Sequence, residues 1–237
     1  MPPKRKGTGA GQRKGRKRNI AELEDVSAPA MDNTRDEDII WIVGDSLIYW
    51  AAQYLLPWGE SALNLHLRNR RVTWKGYRGG HLADVPAIIT ESMSRLGGSH
   101  VPAVVIIHMG TNDLVGLDLL AFKHLLESVI AECKRLLPNT IFMWSGIIPR
   151  HFYKGARSQK GIDEKRKEVN KIAKRILARS EGRVIRHDNF RWDMSYLFRD
   201  DDVHLDILGQ DQFTGNLRRA LHFFLRHPEE LEYHPVS

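Results

Sequence analysis

A single cysteine, Cys133, stands in 237 residues, so no disulfide can close within the chain and the fold has to rest on its core. That thiol sits in an apolar-periodic stretch, Leu125 to Leu137, and reads as a buried structural group rather than a nucleophile. Long apolar runs are missing as well. The longest, Val101 to Ile107, falls far short of the roughly 20 residues that cross a bilayer, so no transmembrane segment is expected. Nor does an apolar run follow the first basic residues, as a secretory signal would require. These absences predict an intracellular protein, nuclear or cytoplasmic. Histidine, cysteine and carboxylate side chains nowhere take metal-ligand spacing, and neither a metal nor a cofactor is expected. The glycine-rich stretch Gly7 to Gly11 lacks the lysine and the preceding strand of a phosphate-binding loop.

Acidic residues are absent from the first 18 positions, which carry Lys4, Arg5, Lys6, Arg13, Lys14, Arg16, Lys17 and Arg18. The formal net charge of +7 is therefore local to the start of the chain, and the rest is close to neutral. Residues 1–36 have almost no bulky apolar side chains to offset the entropy of ordering, and they read as a disordered basic tail. Residues 4–18 fit a nuclear-import signal, a nucleic-acid-binding arm working by phosphate neutralisation, or an inert solvated tail.

What remains, residues 37–230, reads as one domain. The apolar runs Ile39–Val43, Val72–Trp74, Ala103–Ile107, Thr140–Trp144 and Arg183–Arg186 alternate with helical patterns over 46–56, 83–96, 117–137, 163–179 and 207–225. Continuous apolar strands separated by helices predict a parallel sheet covered on both faces. The expected fold is α/β, a three-layer α/β/α sandwich on a five-stranded parallel sheet.

Ligands of such sheets bind beyond the carboxyl ends of the strands. At those ends the chain places Gly44-Asp45-Ser46, Gly79-Gly80 and Gly110-Thr111-Asn112-Asp113, while Asp201-Asp202-Val203-His204 precedes the last helix. These are the residue types of acyl transfer. A serine needs an adjacent base, and His204 can serve as base and then as acid. A carboxylate three residues earlier, Asp201, can hold the imidazole, with Asp202 as the alternative. The N–H groups of Ser46 and Gly80 (or Gly79) and the amide of Asn112 can face a tetrahedral oxyanion. Taken singly, each segment is also an ordinary turn or helix cap.

Together and in this order the four segments resemble the SGNH, or GDSL-type, esterases and lipases, over roughly residues 38–226. The resemblance implies a flavodoxin-like sandwich, a catalytic triad of Ser46, Asp201 and His204, and an oxyanion hole of Ser46, Gly80 and Asn112. It implies hydrolysis of an ester, with short acyl esters, acetylated sugars and lysophospholipids as candidate substrates. Leu47-Ile48 and His81 depart from the family's usual residues without removing a reactive group. The basic tail is similar to that of intracellular esterase-like domains of vertebrate transposable elements. A second reading is a catalytically inactive binding protein on the same scaffold, with the tail contacting nucleic acid or directing nuclear import. The basic segment Pro149 to Arg157, with Lys160, is expected near the site and would favour an anionic substrate if it is more than a solvated loop.

Overall fold

A computed structural model describes residues 38–65, 70–96 and 100–235. The expected basic tail, 1–36, and within it the stretch 4–18 read as an import signal, a nucleic-acid-binding arm or an inert tail, lie outside the described residues. The elements run β1 (Asp38–Gly44), α1 (Ser46–Leu55), β2 (Arg70–Gly76), α2 (Val85–Arg95), β3 (Val104–His108), α3 (Leu119–Leu136), β4 (Ile141–Ser145), α4 (Gln159–Arg179), β5 (Arg183–Ile185), α5 (Ile207–Arg226) and β6 (Glu232–Tyr233). All sheet pairings are parallel, in the order β2-β1-β3-β4-β5-β6.

The alternation of side chains along each strand divides one apolar run between two cores. Ile39, Trp41 and Val43 of β1, Val105 and Ile107 of β3, and Phe142 and Trp144 of β4 pack against α2, α3 and α4. Ile40, Ile42, Ile106 and Met143 point the other way, to α1 and α5. Strands buried on both faces must be apolar at every position, which is why they read as unbroken runs. Cys133 lies inside the first core, where burial pushes its thiol up to about 12, as a structural role predicts.

Most element ends fall within two residues of the sequence expectation, but two larger differences stand out. Helix α4 begins at Gln159, four residues early, because Ser158 accepts a hydrogen bond from the Gly161 N–H and caps it there. The sheet has six strands rather than five. Its last strand is two residues long and lies past residue 230, held as Val184 N–H donates to the Leu231 carbonyl and Arg186 N–H to that of Tyr233. So short a segment has no periodicity to read; only the exposed edge of β5 recruits it.

A directional polar chain ties β3, β4 and α5 together under the sheet's carboxyl edge. Arg219 donates to Asn216 Oδ1, which leaves the Asn216 amide nitrogen to donate to His187 Nδ1. His187 Nε2–H must then donate to Ser145 Oγ, 2.8 Å away, and the Ser145 hydroxyl to His108 Nδ1 at 3.0 Å. His108, Ser145 and Asn216 are fully buried. Burial dominates both imidazoles: it lowers His108 to about 4, against a raising influence of Asp45, and takes His187 well below 6.5. Both rings are therefore neutral in the fold, whereas the unfolded chain starts to take up protons near pH 6.5. This stabilisation is complete above that pH and is lost as the pH falls toward about 4. The urea midpoint should decline over that window, beginning above the range where carboxylates titrate, and the decline should be shallower in His108→Asn.

Candidate active site

The first strand-to-helix turn is tight. A Cβ on Gly44 would stand 2.2 Å from Ile48 Cγ1 and 2.4 Å from the His108 carbonyl, so only glycine lets the chain turn there. Asp45 caps α1 by accepting from Leu47 N–H at 2.9 Å, and Ser46 becomes the first helical residue. Its backbone N–H has no acceptor among the described residues, and it lies at the positive end of the helix dipole.

Ser46, His204 and Asp201 form one hydrogen-bonded line. The Ser46 Oγ lies 3.1 Å from His204 Nε2, and His204 Nδ1 lies 2.6 Å from Asp201 Oδ2. A carboxylate only accepts, so Nδ1 carries a proton, and in the uncharged tautomer Nε2 is the nitrogen left bare toward the serine hydroxyl. Asp201 Oδ1 also accepts from the N–H groups of Val203 and His204. Partial burial acts to raise its pKa, but these hydrogen bonds outweigh it and hold the carboxyl down to about 2. The line thus has the polarity to draw a proton from Ser46.

The choice between Asp201 and Asp202 follows from the backbone. Asp202 adopts φ +56°, and its carbonyl accepts from the N–H groups of His151 and Phe152 at 3.0 and 3.1 Å. This pins the loop so that Asp201, not Asp202, faces the imidazole. Phe198 and Leu205 pair as an antiparallel bridge and close the hairpin that carries Asp201 and His204.

Gly79 and Gly80 are also distinguished. Gly79 takes the left-handed turn, φ +72°, while the Gly80 carbonyl accepts from Asn112 Nδ2 at 2.7 Å. Asn112 and Gly80 are thereby brought together, as expected. The Gly80 N–H departs from expectation, because it donates to the Tyr77 carbonyl at 2.9 Å and closes the turn. As drawn, the free donors are the Ser46 N–H and the second Nδ2 proton of Asn112. The Gly80 N–H would have to share its proton or leave Tyr77. Asp113 joins the same two segments, accepting from Leu82 N–H and lying 2.9 Å from His81 Nδ1.

Sequence reasoning missed Arg150, which it grouped with a solvated basic loop. Arg150 is 5% exposed, donates to fully buried Asp45 at 3.0 Å and reaches Asn112 Oδ1 at 3.4 Å. Donation to Oδ1 orients the Asn112 amide, turning its NH2 toward Gly80. The signal was there: Arg150 directly follows the apolar Ile147-Ile148-Pro149 at the carboxyl end of β4, where a side chain points into the site rather than into water.

No protein-family model and no curated protein sequence matches the chain. Its structure, however, is similar to several solved ones. A GDSL-like lipase from Bacteroides thetaiotaomicron aligns at 14% identity and TM-score 0.60, over 82% of this chain and 92% of that one. A family 3 carbohydrate esterase of Clostridium thermocellum aligns at 17% identity and TM-score 0.58, over 81% and 98%. A catalytic mutant of Axe2, an acetylxylan esterase from Geobacillus stearothermophilus, aligns at 14% identity and TM-score 0.58, over 84% and 97%. The class is therefore an α/β/α sandwich with a parallel sheet. More narrowly, the chain has the SGNH, or GDSL-type, hydrolase fold.

Truncating Arg150 would leave Asp45 as an unpaired charge in the interior. Arg150→Gln should lower unfolding stability by about 3 kcal/mol or more in urea titration, where Arg157→Gln, in the exposed part of the same segment, should be near neutral.

Proposed function

We propose that the protein is a serine esterase that cleaves carboxylic esters through Ser46, His204 and Asp201. The observation that carries this reading is the continuous line from Ser46 Oγ to His204 Nε2 and on from Nδ1 to Asp201. A buried scaffold has no physical need to aim a bare imidazole nitrogen at the hydroxyl of a helix's first residue. The fold shared with lipases and esterases supports the same reading.

In the first half-reaction the Ser46 hydroxyl adds to the ester carbonyl and its proton passes to His204 Nε2. The negative charge that forms on the carbonyl oxygen meets the Ser46 N–H and the Asn112 amide. Collapse expels the alcohol, which takes the proton from His204 and leaves an acyl group on Ser46. Water then repeats the sequence, releasing the acid and restoring the hydroxyl. Asp201, held ionised far below neutral pH, stabilises the imidazolium in both halves. A catalytically inactive binding role is the second reading, and the engaged Gly80 N–H is the observation in its favour.

The test is hydrolysis of p-nitrophenyl acetate and longer esters, with labelling by a fluorophosphonate. Ser46→Ala should abolish labelling and lower kcat by at least roughly a thousandfold. Asn112→Ala should keep the label but lower kcat about a hundredfold, since it removes one oxyanion donor. No turnover and no labelling of the folded wild type would sink the esterase in favour of the binding role.

A further inference from the structure

A hollow of about 480 Å³ lies along the second half of α5, between Arg218, Arg219, His222, Phe223, Arg226 and His227. Asn64 is the remaining lining residue, so among the described residues no carboxylate lines it. Composition does not explain this concentration of cations, because beyond the basic tail the chain is close to neutral. The dipole of α5 favours a cation in its last turn, which accounts for Arg226 but not for Arg218 and Arg219 two turns earlier.

Helical spacing sorts these side chains into two adjacent ridges, Arg218-His222-Arg226 and Arg219-Phe223-His227. The first ridge spaces its two arginines about 12 Å apart along the axis. Their charges are little used. Arg226 is exposed and has no acceptor among the described residues, Arg218 meets Glu60 only at 3.5 Å, and Arg219 donates one nitrogen to the neutral amide of Asn216. The second ridge supplies ring faces. The Phe223 and His227 rings pack with centroids 4.9 Å apart and planes 38° apart, and Tyr233 backs Phe223 at 5.5 Å. The His227 side chain is about half exposed, and Glu229 approaches it only to 3.9 Å.

We propose that this hollow binds single-stranded nucleic acid, independently of the basic tail and of the esterase reading. Arg218 and Arg226 take separate phosphates, and an unpaired base stacks on His227. Cations spread along a helix face match an anion that repeats along a strand better than a single phosphate. Unpaired bases offer the rings a stacking partner that a duplex hides and an acidic peptide lacks. Phe223 is half-buried against the core rather than protruding, unlike the apolar anchors that enter a lipid surface. The hollow begins roughly 16 Å along α5 from the helix start that follows the His204 hairpin, so it is separate from the line of Ser46 and His204.

The test is fluorescence anisotropy of the full chain with a labelled oligouridylate of about 12 nucleotides, at roughly pH 8, above the imidazole range. The tail is the same in every variant, so its contribution cancels in the ratio to wild type. Arg218→Gln/Arg226→Gln should weaken binding about tenfold and flatten the slope of log K against log salt by about 1.4, the loss of two single-strand phosphate contacts. His227→Ala should weaken binding at least about fivefold and leave the slope unchanged, because a stacked base releases no counterion. Toward a duplex of the same length, and toward vesicles containing anionic lipid, both variants should match the wild type. Urea midpoints near that of the wild type, expected for side chains on the surface, verify the fold of each variant. Wild-type affinity and slope in both variants would place all binding in the tail and overturn the site, as would no binding at all. A loss on replacing the arginines but not His227, or one equally large for the duplex or the vesicles, overturns the single-strand assignment.

Discussion

The ion pair between Asp45 and Arg150 is closed off from water, and that enclosure is what holds the carboxyl edge of the sheet in one arrangement. Taking two charges out of water is costly and is offset only when the geometry is close and the remaining donors are used. Here Asp45 spends its second oxygen on the cap of α1 and Arg150 extends its second nitrogen to Asn112, while the buried Arg150 Nε–H is left without a partner. One contact therefore joins the turn before Ser46, the turn after β3 and the segment after β4. Moving the first or the third would strand a buried charge, and moving the second would cost Arg150 its amide acceptor, so the serine and the amide are held relative to each other without touching.

A second polar layer lies beneath the first. The chain from Arg219 through Asn216, His187 and Ser145 to His108 is directional, because Arg219 and Asn189 together fix the Asn216 amide and so how every later proton must point. Its last member, His108, offers its carbonyl to the Asp45 N–H, so the two layers meet in the backbone. The line from Ser46 through His204 to Asp201 is different in kind. Asp201 is about half exposed and His204 a quarter exposed, on a hairpin fastened by the Asp202 carbonyl. Ser46 belongs to the fixed edge, whereas His204 and Asp201 reach it from the rim.

Much of the fold was legible because burial on both faces demands apolar side chains at every strand position. The runs Ile39–Val43 and Ala103–Ile107 announced their strands, and the order of elements implied a parallel sheet. The site was legible where a residue type is scarce in meaning: a serine after Gly-Asp at a strand end, an asparagine after Gly-Thr, a histidine three residues past an aspartate. Arg150 was not, because an arginine in a basic segment is usually solvated and nothing local marks it as buried. The β6 strand was not, because two residues carry no period. The occupied Gly80 N–H was not, because a turn's hydrogen bond depends on how the chain closes rather than on which glycine is present.

The sequence by itself determined which residues could react and in which order along the chain they occur, since chemistry belongs to side-chain type. It also determined the layers, since hydrophobic periodicity sorts each strand's residues between two faces. Only the tertiary structure decided which of two neighbouring aspartates meets the imidazole, which glycine meets the amide, and which arginine is spent on holding the site rather than on binding. The sequence was ambiguous there because those outcomes depend on distances of a few ångström between segments up to 158 residues apart. Sheet pairing and burial set such distances, and no local pattern encodes them.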